Sequence, residues 1–89
     1  MNYDFTQQAW EDYLYCQDTD RQILKRINTL LKDIARNNYT GIGKPEPLKG
    51  ELNGYWSRRI NDTHRLVYRL IGKMGDTCEI YQCKGHYRA

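Results

Sequence analysis

The spacing of hydrophobic and polar positions changes along the chain, and each change of period marks an element. Met1 to Phe5 alternates, with Tyr3 and Phe5 on one side, which predicts a first strand. Thr6 is placed to cap a helix running to about Cys16, with Trp10, Tyr13 and Leu14 at i, i+3, i+4 spacing as its apolar face. Gln17 and Asp18 read as the break. Thr19 followed by Gln22 has the spacing of a capping box and opens a second, longer helix. Ile23, Ile27, Leu30, Leu31 and Ile34 then fall on one helical stripe, with Lys25, Arg26, Lys32 and Arg36 mostly off it as a solvated face.

From Asn37 to Gly50 periodicity gives way to Asn-Asn, Gly41, Gly43, Pro45, Pro47 and Gly50. Pro45 and Pro47 restrict the backbone on both sides of Glu46 and push Lys44 and Glu46 towards extended conformations. This stretch is expected to be a long loop that holds Glu46 stiffly. Alternation resumes as an antiparallel meander: Gly54 to Ile60, a turn at Asn61-Asp62-Thr63, His64 to Ile71, a turn at Gly72 to Asp76, and Thr77 to Gly85. In the middle strand Leu66, Tyr68 and Leu70 should face the helices, leaving Arg65, Val67, Arg69 and Ile71 on the outer face. The expected fold is α+β: an N-terminal helical hairpin packed on one side of a twisted, mainly antiparallel sheet, with residues 1–89 as a single domain.

Composition narrows the partners. Of 89 residues, two are Trp, eight Tyr and one Phe. Aromatic rings must carry much of so small a core, and the abundant Tyr also suits base stacking. Residues 1–43 carry five Lys/Arg against six Asp/Glu, whereas residues 44–89 carry nine against five together with both histidines. Positive charge gathered in one half points to a polyanionic ligand, although a merely solvated face produces the same asymmetry. Cys16, Cys78 and Cys83 are odd in number and lack CxxC spacing, so neither a disulfide framework nor a zinc site is expected, and a reducing cytoplasm is. The N-terminal segment has an early acid and no long apolar run, so it does not read as a signal peptide, and no segment has the length and apolarity of a membrane span.

The residues that carry chemistry lie in the basic half. Glu46 is the candidate general base, against the bland alternative of an ordinary loop acid; Lys44 and Lys49 bracket it and are candidate phosphate ligands. Arg58 and Arg59 alternate across the strand. Arg58 shares parity with Trp56 and Ile60 and is expected to turn inward towards a helix acid, leaving Arg59, with Tyr55 and Ser57, on the open face with Arg65. A bulge would invert this assignment. His64 sits at a turn and reads as structural, whereas His86 ends the last strand beside Tyr87, which is placed to stack on a base or guide the imidazole. A carboxylate, a guanidinium and an imidazole are the minimum set for cleaving RNA without a metal or cofactor.

With these residues in hand, WEDYLYCQDTD, GIGKPEPLKGELNGYWSRRINDTHRLVY and the final HY resemble the YoeB/Txe toxins of the RelE superfamily. The resemblance runs from about Trp10 to Tyr87, and Gly43–Lys49 and Trp56–Tyr68 are its specific stretches. It implies a RelE-like fold similar to small microbial ribonucleases. It also implies a toxin of a type II toxin–antitoxin system, an endoribonuclease that cuts messenger RNA in the ribosomal A site. By resemblance, Glu46 is the catalytic glutamate, Arg65 the transition-state arginine, His86 the acid and Tyr87 its neighbour, with Lys49 and Arg59 in the basic site. The implied partners are a cognate YefM/Phd-type antitoxin, the ribosome and messenger RNA, with operator DNA reached only through the toxin–antitoxin complex, and a homodimer. In one departure from the family pattern, Arg88 and Ala89 follow the His-Tyr pair, which moves the terminal carboxylate and adds a cation that is a further candidate RNA contact. The competing reading is a non-catalytic module that binds antitoxin and nucleic acid as a corepressor.

Overall fold

A computed structural model describes residues 1–86. The strand β1 (Asn2–Phe5) leads into helices α1 (Gln7–Thr19) and α2 (Arg21–Arg36), followed by strands β2 (Glu46–Pro47), β3 (Trp56–Arg59), β4 (Arg65–Ile71) and β5 (Thr77–Gln82). The five strands form one sheet in the order β1-β5-β4-β3-β2. β1 runs parallel to β5 and every other pairing is antiparallel, so the expected α+β architecture with a mainly antiparallel sheet is found.

The helical stripe behaves as its period requires: Ile27, Leu30, Leu31 and Ile34 are buried and Ile23 packs against them. They meet Leu66, Tyr68, Cys78 and Ile80 on one face of the sheet, with Leu70 at the margin. The hairpin differs from expectation in two respects. Nothing in Gln17-Asp18 stops a helix, and α1 continues to Thr19. The break is Asp20, in extended backbone, which ends one helix and starts the next: its N–H donates to the Cys16 carbonyl, and its carboxylate accepts from the N–H groups of Gln22 and Ile23. The expected Thr19 cap is therefore corrected to Asp20; the Thr19 hydroxyl donates back to the Tyr15 carbonyl instead. The buried face of α1 is Ala9, Asp12 and Cys16, while Trp10 and Leu14 lie exposed. Trp10 stacks on Tyr13 and meets Phe5 edge-on, so the aromatic spacing reflects a surface cluster over the core's edge.

The expected loop between α2 and the meander contains a two-residue edge strand, β2, whose Glu46 pairs with Ser57 and Pro47 with Trp56. Proline is tolerated there because an edge strand leaves one side of its backbone unpaired. The meander strands are also shorter than their alternation, beginning at Trp56 and Arg65 and ending at Gln82. A register shift between Val67 and Tyr68 adds Tyr81 to β5, so the bulge falls there and leaves the parity of β3 and β4 intact.

The loop before β2 is organised by Arg58, which is fully buried. Its Nε donates to the Tyr68 hydroxyl, its Nη1 to Asp33 Oδ2 at 2.6 Å and to the Ile42 carbonyl, and its Nη2 to the Asn37 and Thr40 carbonyls. The inward pairing with a helix acid is thus met by Asp33. Gly43 sits at φ 84, where a Cβ would press on Leu30 and crowd Arg58 and the Arg59 carbonyl, so glycine suits both the backbone and the close passage of the chain by the core.

Candidate active site on the open face of the sheet

Directly opposed residues in an antiparallel sheet point to the same face. Glu46 opposes Ser57, Ser57 opposes Val67, and Val67 opposes Gln82, a row that crosses four strands on the face the helices leave open. Beside it, Arg59 opposes Arg65. Part of this face is covered: Val67 packs with Leu48 and Leu52, beside Tyr55 and Tyr81, in a small second apolar cluster that buries the middle of the row.

Glu46 is exposed at the sheet edge, and among the described residues its carboxylate makes no hydrogen bond or ion pair. Two further strand acids lie on this face: Asp4, exposed on β1 at the far edge of the sheet, and Glu79, which is already engaged. Glu79 Oε1 accepts from Arg69 Nε at 2.8 Å and from the Tyr55 hydroxyl at 2.9 Å. Burial works to raise the Glu79 carboxyl, but these two donors outweigh it and hold the group below the usual carboxylate range. Burial first, and the Glu79 bond second, push the Tyr55 hydroxyl up. Glu46 is therefore the carboxylate available to a ligand on the side of the sheet that carries Arg59 and Arg65.

Arg65 is largely buried, and its Nη1 donates to the Asn61 carbonyl at 2.7 Å and to the His64 carbonyl at 3.2 Å. Its remaining nitrogens make no hydrogen bond among the described residues, yet none is sealed from solvent, so a preoriented guanidinium edge faces outward. Arg59 is exposed, and its backbone N–H donates to the Gly43 carbonyl, tying β3 to the chain that enters β2. Lys44 and Lys49 are exposed on either side of Glu46; Lys44, expected to be extended, instead takes a positive φ of 51, so of Lys44 and Glu46 only Glu46 is extended.

His86 lies past the end of β5, exposed. Gln82, buried in the row, donates its carboxamide to the Lys84 and His86 carbonyls and so fixes the turn that carries the imidazole. Asp12 secures the same segment from α1, accepting the Cys83 N–H. Tyr87 and Arg88 lie outside the described residues. His64 is away from the row; its Nδ1 accepts the Gly85 N–H at 2.7 Å.

Sequence reasoning misses Gln82, whose contribution depends on a turn that alternation does not reveal. It also misses the carbonyl clamp on Arg65, for which the Asn61 turn is the available signal. Ser57, placed on the open face from its parity, is buried in the centre of the row.

The arrangement can be compared with known proteins. Residues 5–87 match the model of the YoeB-like toxin of bacterial type II toxin–antitoxin systems. The chain belongs to this family. Toxin YoeB of Streptomyces coelicolor is 54% identical over 87 residues, covering 98% of this chain and all of that protein. The YoeB/ParE toxin from Agrobacterium tumefaciens superposes with a TM-score of 0.94 at 46% identity, covering 98% of this chain and 100% of that one. A heterotetrameric YoeB–YefM toxin–antitoxin complex from Staphylococcus aureus contains a chain with a TM-score of 0.89 and 51% identity, covering 98% of each. The YoeB fold is of the RelE type, as the more distant structural neighbours are.

Proposed function

We propose that this chain is a ribosome-dependent, metal-independent endoribonuclease that cuts messenger RNA in the A site. The observation that carries the reading is the pairing of Arg59 with Arg65 on the face that also presents Glu46. Like charges directly opposite each other destabilise a sheet. Two guanidiniums in register, one with donors facing outward, make physical sense around a phosphate.

Glu46 takes the 2′-hydroxyl proton of the nucleotide before the cut. The oxyanion attacks the adjacent phosphorus in line, and Arg65, with Arg59 and Lys49, balances charge on the phosphorane; Lys44 and Arg88 hold neighbouring phosphates. His86 protonates the departing 5′-oxygen, with Tyr87 beside it. The P–O5′ bond breaks as the P–O2′ bond forms, leaving a 2′,3′-cyclic phosphate and a 5′-hydroxyl. A YefM-type antitoxin is the partner this reading assigns, supported by the staphylococcal complex, with operator DNA contacted through that complex and a homodimer as the free form. The reaction takes place in the cytoplasm, where translating ribosomes are.

The test is cleavage of a defined messenger on translating ribosomes under chelation, comparing wild type with His86→Ala. A discrete A-site cut, lost in the variant and on a substrate with a 2′-deoxy nucleotide at the cut, is the expected result. Cleavage of the deoxy substrate would sink the mechanism. Tight nucleic-acid binding without any cut would leave the corepressor reading.

A further inference from the structure

We propose that His64 is a positioning residue, a neutral imidazole clamp that sets the His86 turn against Arg65. The proposal rests on the catalytic roles of His86 and Arg65. A backbone N–H can only donate, so the 2.7 Å contact from Gly85 N to His64 Nδ1 requires an unprotonated Nδ1 and the Nε2–H tautomer. The Gly85 carbonyl in turn accepts from the Arg65 N–H at 2.9 Å. Arg65 Nη1 returns to the His64 carbonyl at 3.2 Å and to Asn61 at 2.7 Å. These bonds close a ring through three residues, His64, Arg65 and Gly85. One member carries the phosphate-facing guanidinium, and another immediately precedes the acid.

Gly85 cannot hold its place by local preference. It sits at φ 74, with open space where a side chain would be, so its conformation is set by what grips its two polar groups. His64 grips the N–H and Arg65 the carbonyl, while Gln82 grips the carbonyls of Lys84 and His86 on either side. Removing the imidazole frees the Gly85 N–H and leaves the turn to the bonds at its carbonyls and to Asp12 at the Cys83 N–H.

The clamp is sensitive to protons. A proton on Nδ1 replaces an acceptor with a second donor and opposes the Gly85 N–H. The titratable groups lining the same cavity are Tyr15, Cys16, Asp20 and Lys84, with the Lys84 ammonium lying over the Tyr15 ring at 3.8 Å; Asp62 belongs to the turn before His64. A proton on Nδ1 therefore loosens the turn that carries His86.

Asparagine separates the bond from the titration, because its Oδ1 offers an acceptor near the position of Nδ1 and does not titrate. The experiment compares wild type, His64→Ala and His64→Asn by the Gly85 amide resonance in the 15N-labelled chain and by ribosomal cleavage rate. Both are followed from about pH 8 to about pH 5, the window in which imidazoles take up a proton. In wild type the Gly85 amide should lose its hydrogen-bonded shift and exchange protection on acidification. In His64→Ala it should lack them throughout, with cleavage down by on the order of 10- to 10²-fold, as expected for a displaced catalytic group. His64→Asn should restore both and remove the acid-side dependence of the amide. An amide unaffected by His64→Ala, or cleavage as fast in His64→Ala as in wild type, overturns the proposal, as does an Asn variant that regains the amide bond without regaining rate. If wild type itself does not cleave, the endoribonuclease reading fails, and the Gly85 amide still decides whether the clamp exists.

Discussion

Arg58 and Arg59 are neighbours in sequence and belong to different chemical worlds. On the helix-covered face Arg58 is fully buried, with Nε and both terminal nitrogens engaged by a hydroxyl, a carboxylate and loop carbonyls. On the open face Arg59 lies exposed opposite Arg65, whose donors are only partly used. A guanidinium with every donor satisfied by protein holds a structure together. One with donors left over and a like charge beside it awaits an anion. The two faces should therefore respond to substitution in opposite ways, one in stability and the other in rate.

The largest stability effect is expected at Arg58. Arg58→Met leaves Asp33 and the loop carbonyls without a donor and should cost roughly 3 kcal/mol or more in urea unfolding. Arg65→Met removes hydrogen bonds to two carbonyls, one of them short, and should cost about 1 kcal/mol while lowering cleavage by on the order of 10²-fold or more. Similar stability losses at the two positions would erase the contrast.

Glu46 sharpens it from the other side. Glu46→Gln alters an exposed group that has no partner among the described residues, so stability should stay within about 0.5 kcal/mol of wild type. The cleavage rate should still fall by on the order of 10²-fold, because the amide cannot accept the 2′-hydroxyl proton. A variant that loses both would mean that the carboxylate helps hold β2 in place.

The contrast between faces is partly legible in the order of residues along the chain. Parity alone separates Arg58 from Arg59 and turns Leu66 and Tyr68 inward, because a strand's alternation needs no knowledge of its partners. The α2 stripe is legible for the same reason. What stays hidden depends on distant pairings. The extended Glu46 becomes a strand only because β3 lies beside it, and periodicity carries no record of that. Gln82 looks like one more polar strand residue until the turn after it brings carbonyls to its amide. The face of α1 misleads because Trp10 and Leu14 are apolar without being buried, whereas Asp12 is buried to meet a backbone N–H.

Acid titration gives a smaller effect that again distinguishes the faces. The Arg58 guanidinium, followed by the Ile42 N–H, holds the Asp33 carboxyl below its ordinary value of 3.8. The unfolded chain then takes up its proton at Asp33 at a higher pH than the folded chain does. Asp33's contribution is complete above that ordinary value and is lost as pH falls through the lower folded one. Asp33→Asn should flatten the acid limb of melting temperature against pH. An unchanged limb would show that Arg58 is held by the Tyr68 hydroxyl and the loop carbonyls without help from Asp33.

The smallest effect belongs to Glu79, the engaged acid of the open face. The direction of its shift is the same as that of Asp33, but burial opposes it and its partner Arg69 is 44% exposed, so solvent and salt screen the pair. Glu79→Gln should cost well under about 1 kcal/mol and less still at high salt. Its clearer signature is at Tyr55, whose hydroxyl burial and Glu79 together raise above 10.0. Removing the carboxylate takes away the second of these causes and leaves the first, so tyrosinate absorbance should appear at a lower pH without returning fully to the ordinary value. Cleavage should hardly change, because Glu79 is committed to Tyr55 and Arg69. A large loss of rate at Glu79 would transfer the role of base from the edge of the sheet to its centre, and Glu46 would become the bystander.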